Sequence, residues 1–585
     1  MLSSLPLILL LSSFSQADSQ PAIGDQVVHF SFVGPRYVPR TTRELPERDA
    51  YVFAFLSVDC PISNRYLPRL VEMDRVFAPR NVQFVAINVG AEDSIQEVAT
   101  QAVESGAAFP FVKDFDGQAA RTLGVERTPE VVVLDADRRL QYRGRIDDQI
   151  RFGGRRPTIG RADLERAIEE VLAGEEVSVP ETPVDGCLIT PPVLPRIEPV
   201  TYAEHVAPII ERRCLPCHRK DGIAPFALER CEQVSSKRRM IAEVVRQGRM
   251  PPWFASPAYG EFANDPTLTG EERATISSWA DQGMCSGDPA TISEPDDRQA
   301  ASSWRGGTPD LIVTPERQAQ LPADGVIPYR YEPLPYVFER ETWVREFEIR
   351  PSNPRVVHHI NLFHYNPSNP RDRSAAVIPG GEPIDPGPGA AHRIPAGSVL
   401  GLQTHYVTTG AAETNLTSIG MRFPRTPVRA VFRSFTIDER DFEIPARSRR
   451  FEVTGSVTMP ADVTAVGFFP HMHLRGKDVR IEAVYPTGAG EDLLLVPNYN
   501  FDWQLPYLYG PDTKLFPKGT VIRMTGHFDN SGFNPYNPAA DKAVRWGLRS
   551  TDEMFLGSIF AVKELDVAIH VDPRTGHALP PSATH

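Results

Sequence analysis

Apolar residues follow three successive textures along this chain. Residues 51–58 (YVFAFLSV), 82–89 (VQFVAINV) and 130–135 (EVVVLD) are short, nearly continuous apolar runs of the kind that fill a buried strand. Residues 138–143 read as a hairpin partner of the last run, and helical spacing lies between the runs, as in 94–104. Strands alternating with helices predict an α/β layer with parallel pairing over 23–175. The proline-rich stretch 176–199 predicts a linker. Over 200–288 the period changes. Residues 203–213, 234–246 and 269–282 carry apolar positions at helical spacing and predict an all-α segment. A polar, proline-containing stretch at 289–309 reads as a second linker. Beyond it come short alternating segments with many turns, as in 451–458 and 479–484, the texture of an all-β sandwich.

Composition adds three constraints. The 585 residues suffice for several domains, and 56 prolines favour strands, turns and linkers over long helices. A net charge of −13 argues against a nucleic-acid partner, which would need a basic surface. Residues 5–11 (LPLILLL), followed by Ser15-Gln16-Ala17, read as a signal peptide over 1–17, which predicts a periplasmic or secreted protein. No later stretch is apolar for the roughly 18 residues that a transmembrane span needs.

The six cysteines are Cys60, Cys187, Cys214, Cys217, Cys231 and Cys285, so nothing beyond Cys285 uses thiol chemistry. Cys214-Leu215-Pro216-Cys217-His218, at the end of a predicted helix, has the spacing for covalent haem c: two thiols for the vinyl groups and an adjacent imidazole for the iron. A redox CxxC or half a zinc site are the alternatives. The first is expected in an α/β pattern, and the second needs another paired ligand set. Met250, in Arg249-Met250-Pro251-Pro252-Trp253, is the candidate distal ligand, while Met240 and Met284, in or beside helices, read as core. Cys231 and Cys285 remain available for a disulfide.

The C-terminal half carries His358-His359, His405 (in LQTHY) and His471-Met472-His473. Residues i and i+2 of a strand share a face, so His471 and His473 can hold one ion together. Adjacent His358 and His359 face opposite ways unless the strand is bulged. Imidazoles suit both copper states, and a thioether, such as that of Met524 or Met554, suits Cu(I). His364, His392 and His527 read as scattered surface histidines.

The order His-His, His-Tyr, His-x-His, Glu-Met over about 308–568 resembles the copper type II, ascorbate-dependent monooxygenases, the family of peptidylglycine α-hydroxylating and dopamine β-monooxygenases. The resemblance implies two jelly-roll-like sandwich domains, 310–432 and 433–585, facing each other over a solvent-filled cleft. It implies two copper ions: an electron-transfer copper on His358, His359 and His405, and an oxygen-binding copper on His471, His473 and Met554. Phe469, Leu556 and Ser558 stand where the amidating branch has Arg, Asn and Tyr, so a glycine-extended peptide is not the implied substrate. The turn-rich stretch 528–538 reads as a connection supporting the site.

Asp59-Cys60-Pro61-Ile62-Ser63 follows a buried strand and precedes a helix, and Thr128-Pro129 precedes another strand. This arrangement resembles the thioredoxin-like redoxins over about 23–174. Cys60, at a helix N-terminus, would be a reactive thiol. Ser63 replaces the second Cys of CxxC, which leaves Cys187 as a resolving thiol. Peroxiredoxins carry Pro and Thr seven and three residues before their Cys; here those positions are Phe53 and Ser57.

The whole predicts an exported multi-module oxidoreductase. Its leading function is a copper monooxygenase that hydroxylates a C–H bond of an organic substrate with O₂. Electrons would come from a small-molecule reductant or redox protein, through one covalent haem c and the thioredoxin-like module. The rivals are a non-catalytic electron-transfer or copper-handling protein, and a thiol oxidoreductase centred on Cys60.

Overall fold

The computed structural model describes residues 20–151, 153–190, 199–220, 222, 224–288, 304, 306–325, 327–366, 375–378, 385–511 and 514–580. The signal peptide read at 1–17 lies outside the described residues, as do 191–198 and most of 289–309 in the two stretches read as linkers. The chain divides into two compact units, and residues 39–93 and 109–192 make up most of the first.

The first unit is built on a seven-stranded sheet. Its order is Pro39–Thr41, Ser31–Val33, Phe111–Lys113, Val82–Asn88, Ala50–Leu56, Glu130–Asp135, Leu140–Gly144. Val82–Asn88 runs parallel to both of its neighbours, whereas Glu130–Asp135 and Leu140–Gly144 pair antiparallel. The sheet is therefore mixed, parallel in its middle and antiparallel toward its ends. Ala50–Leu56 and Val82–Asn88 are buried at every position, as their unbroken apolar runs require. Helix Pro61–Phe77 follows the first of them, and helix Asp163–Leu172 contributes Leu164, Ala167 and Ile168 to the core.

The stretch 176–199 is not simply a linker. Arg143 donates its amide to the Pro180 carbonyl at 3.0 Å, and Cys187–Leu188 pairs antiparallel with Arg127–Thr128. A sheet edge has backbone groups to satisfy, and this segment satisfies them.

The second unit begins with helices. A helical run of Tyr202–Val206, Ala207–Ile209 and Ile210–Cys214 leads into the CxxCH motif. Residues 234–246, expected as one helix, form two, Cys231–Ser236 and Arg238–Arg246, broken at Lys237 after a serine pair of modest helix propensity. Gly270–Gln282 starts on Thr269, which accepts the Glu272 amide in a capping box. Tyr202, Val206, Ile241, Val245, Ile276 and Trp279 share one core, and Cys231 and Cys285 are joined by a disulfide. Met240 and Met284, expected in that core, are instead exposed: Met240 lies on the outer face of Arg238–Arg246, and Met284 lies beyond the end of Gly270–Gln282.

From Leu311 onward the second unit is β. Strands Leu311–Val313, Glu346–Pro351 and Thr417–Arg422 form one sheet. Arg330–Phe338, Ser398–Tyr406, Val357–Tyr365 and Ala375–Ile378 form another. Leu334, Phe347, Ile360, Leu402, Ile419 and Met421 close both onto one core. A second pair of sheets, one centred on Val428–Glu439, Phe555–Ile569 and Val463–Met472, the other on Phe451–Thr458, Val521–Phe528, Gly476–Val484 and Gly490–Val496, encloses a core that includes Met472, Ile481, Leu494 and Met524. The boundary expected at 432/433 falls inside the strand Val428–Glu439, which pairs parallel with Ala390–Ile394 and antiparallel with Phe555–Ile569. No described helix is long and apolar enough to cross a membrane.

Candidate functional site

In the first unit Cys60 caps helix Pro61–Phe77 and is almost wholly buried. Its Sγ lies 3.1 Å from Cys187 Sγ and 3.3 Å from the Thr128 carbonyl oxygen. The pairing of Cys187 with Thr128 across the short ladder is what delivers the second thiol. The Thr128–Pro129 bond is cis. Ser63, in place of the missing local cysteine, hydrogen-bonds Thr128 Oγ1 at 2.8 Å. Burial pushes the Cys60 thiol up, but hydrogen bonds from the Ser63 amide, the Cys187 thiol, the Ser63 hydroxyl and the Ile62 amide outweigh it and hold Cys60 below the ordinary thiol range. Cys187, hydrogen-bonded to the Cys60 thiol and partly buried, is pushed up to about 11.

In the second unit all five histidines converge. The ladder between Val357–Tyr365 and Ser398–Tyr406 is irregular between Val357 and His359, the bulge that adjacent histidine ligands require, and His359 sits directly opposite His405. The side-chain nitrogens of His358, His359 and His405 come within 4.8 Å of one another. At the end of strand Val463–Met472, in another sheet, Met472 points into the core of its own sandwich, which turns the flanking His471 and His473 to the other face. Their rings are 5.2 Å apart, and the His471 ring is 6.1 Å from that of His359.

The two sets therefore do not face each other over open solvent. They form one buried cluster. Phe501 closes it, with its ring 4.9 Å from His358, 5.8 Å from His473 and 6.2 Å from His405.

The nitrogens fall into two classes. His471 Nδ1 donates to Gln504 Oε1 at 2.8 Å and His473 Nδ1 to the Asp552 carbonyl at 3.3 Å, which leaves Nε2 of both for an ion. His473 Nε2 and the Nδ1 atoms of His358, His359 and His405 are buried with no hydrogen-bond partner among the described residues. His359 Nε2 meets the Tyr329 hydroxyl at 3.1 Å, and the Tyr329 ring stacks on His405. Burial and then the neighbouring imidazoles push His358 and His405 down to about 4 and His473 to about 3. All are neutral near pH 7, the form that binds metal. Neutral, converging imidazole nitrogens left without a hydrogen-bond partner fit a transition-metal ion such as copper.

Met554 lies half-buried in the turn just before Phe555, which pairs with Met472. Glu553, fully buried, accepts the amides of His473 at 3.0 Å and Arg475 at 2.7 Å. Arg475 also donates to Asn530 and to the Thr551 carbonyl, and Asn534 donates to the Leu474 carbonyl, so the 528–538 connection does brace the site. Met524 is core, away from the imidazole face. His364, His392 and His527, expected at the surface, are buried; His527 is held by Asp478 at 2.6 Å. Phe469 packs with Phe432 and Phe560.

In the helical segment neither Cys214 nor Cys217 is in a disulfide, and His218 Nδ1 donates to the Phe226 carbonyl at 3.1 Å, which leaves Nε2 for an iron. Met250 is half-buried, and Trp253 three residues on is anchored in the core of the C-terminal sandwich. Tyr329, Phe501, Gln504 and Glu553 were not foreseen as site residues. The loop around Phe501 and Gln504 has no periodic pattern, and Glu553 was legible only as a neighbour of Met554.

The mixed sheet, the cis proline and the buried thiol at a helix N-terminus define a thioredoxin-like module, which gives the chain a redox role. Residues 23–154 match the Redoxin family and form a redoxin domain. No protein with a curated description matches the chain. Among solved structures, a hypothetical protein from Sinorhizobium meliloti is 28% identical, covering 29% of this chain and 95% of that one, with a TM-score of 0.27. An uncharacterized conserved protein from Geobacillus kaustophilus is 27% identical over 29% and 92%, with a TM-score of 0.26. A secreted disulfide oxidoreductase from Mycobacterium tuberculosis is 18% identical over 25% and 95%, with a TM-score of 0.19.

Proposed function

We propose that the chain is a thiol–disulfide oxidoreductase whose redox couple is Cys60 and Cys187. The observation that carries this is the 3.1 Å separation of their sulfurs, short enough to become a bond with little backbone movement. Oxidation takes two electrons from the pair, joins the sulfurs and releases both thiol protons. Reduction by a partner thiol reverses this, with Cys60 supplying the stabilised thiolate. The reading suits an oxidising compartment, which the signal peptide expected at 1–17 would supply. The test is equilibration of the full chain in glutathione redox buffers, with peptide mapping of the 60–187 linkage. Absence of that linkage at every buffer ratio rejects the reading.

A second reading, for the β half, is favoured by the converging nitrogens of His358, His359 and His405. These three would hold one copper; His471 and His473, completed by Met554, would hold another. Bound there, copper would supply one-electron transfer and oxygen activation for hydroxylation of a C–H bond. The chain's own residues prepare for it. Gln504 and the Asp552 carbonyl fix the tautomers of the His471–His473 pair, Tyr329 orients His359, and Phe501 excludes water. Cys214, Cys217 and His218 would hold a covalent haem, with Met250 as the candidate sixth ligand, for electron supply. Metal analysis and an optical spectrum of protein exported to a periplasm are expected to give two coppers and one haem per chain. Protein matured there without copper would reject the monooxygenase.

A further inference from the structure

Beside Cys187 the first unit holds a cavity of about 500 Å³, within the range of small-molecule sites. Ile62 and Arg65 of the helix that Cys60 caps line it, with Arg151, Gly154, Arg155 and Cys187. Cys187 is at the wall, whereas Cys60 is 3% exposed. The sulfur that a visitor meets first is therefore that of Cys187. The three arginines are exposed. Asp185 lies 3.8 Å from Arg151 and offsets part of their charge, and Arg155 reaches the neutral amide of Gln149 at 3.4 Å. Positive charge remains, in a chain whose net charge is −13. An anion is drawn to this wall.

We propose that this arginine-lined cavity docks a low-molecular-mass thiol bearing carboxylates, which exchanges at the Cys187 sulfur while Cys60 serves as the inner partner. The inference rests on the dithiol reading above and adds to it the substrate class and the sulfur of entry. Starting from the 60–187 disulfide, a substrate thiolate attacks Cys187 Sγ. The protein S–S bond breaks and its electron pair leaves on Cys60 as thiolate. A second substrate thiolate then attacks the substrate sulfur of the mixed disulfide. Cys187 departs and takes a proton, and the two substrate thiols are released joined. Each protein disulfide reduced oxidises two substrate thiols. The raised Cys187 and lowered Cys60 suit these roles, since the better leaving group lies inside.

The test uses the full chain, oxidised to the 60–187 disulfide and then reduced in turn by glutathione, cysteamine and 2-mercaptoethanol at equal thiolate concentration and low salt. Differential labelling of the two cysteines with peptide mapping follows the reaction. Glutathione is expected to outpace cysteamine by about tenfold or more. That ratio should collapse in about 0.5 M salt and reverse in the Arg65→Glu/Arg151→Glu/Arg155→Glu variant. In Cys60→Ser, oxidised glutathione should place its adduct on Cys187. Equal rates for the three thiols, or a preference that survives charge reversal, overturns the cavity assignment and leaves the dithiol couple standing. Failure of the 60–187 bond to form on oxidation rejects the couple itself, and this proposal with it.

Discussion

Gln504 holds His471 in place: the amide oxygen of the one lies 2.8 Å from Nδ1 of the other, and both are buried. An imidazole whose Nδ1–H is engaged has its Nε2 lone pair aimed away and fixed in direction. If that direction serves an ion, Gln504→Leu lowers copper affinity at the His471–His473 pair by about 10- to 100-fold. The trio on the other sheet should keep its affinity. Competition with a chromophoric Cu(I) chelator, with two-site fitting, measures this. Equal weakening of both sites, or of neither, would count against the assignment.

Reactivity at Cys60 follows from its environment. A thiol held below the ordinary range is thiolate at lower pH, so alkylation by iodoacetamide should have its midpoint below pH 9. Cys187, pushed up to about 11, should be labelled slowly until well above that. Replacing it removes one of the hydrogen bonds that stabilise the Cys60 thiolate. Cys187→Ala therefore shifts the Cys60 profile to higher pH, provided the cysteines outside the first unit are first mapped and subtracted. An unmoved profile would mean that Cys187 does not stabilise the thiolate.

The legible part of this protein was the part written in periodicity or in fixed spacing. Strands Ala50–Leu56 and Val82–Asn88 were readable because both faces are apolar, and helix Gly270–Gln282 because its apolar positions recur at helical spacing. The bulge before His359 could be demanded from the adjacency of two ligands, and the ladder supplies it. Phe501 and Gln504 were not readable, since aperiodic loop residues gain their roles only from the fold that carries them. The stretch 176–199 misled because proline-rich composition speaks of turns, not of the backbone pairs that an exposed edge will accept. His364, His392 and His527 misled in the same way: a polar residue type gives no hint of the buried partner that makes its burial tolerable, as Asp478 does for His527.

Cys231 and Cys285 are 54 residues apart in sequence and enclose half of the helical segment's buried core. Closing a loop of that length restricts the unfolded chain, which in the loop-entropy account is worth about 3–4 kcal/mol. The Cys231→Ala/Cys285→Ala variant should lose about that much local stability. Amide exchange within Gly270–Gln282, whose Trp279 sits in that core, should quicken by two or more orders of magnitude, while the β half is unchanged. Unaltered exchange in this helix would show that packing alone holds the segment.

Glu553 is the buried carboxyl on which the turn after His473 depends. Burial pushes its carboxyl up to about 8, although the Arg475 and His473 amides and the Arg475 guanidinium pull it down. Between about pH 4.5 and 8 the folded metal-free protein therefore retains a proton that the unfolded chain gives up, so this group makes stability fall as pH rises through that window. Glu553→Gln keeps an acceptor and should flatten the slope. Glu553→Leu leaves two amides and the buried Arg475 without their partner and should cost about 3–5 kcal/mol. Urea unfolding of the three proteins at pH 5 and pH 8 separates these effects. A wild-type protein more stable at pH 8 than at pH 5, with the Gln variant matching it, would mean that Glu553 is ionised in the fold and that the Arg475 pair, not burial, decides its state.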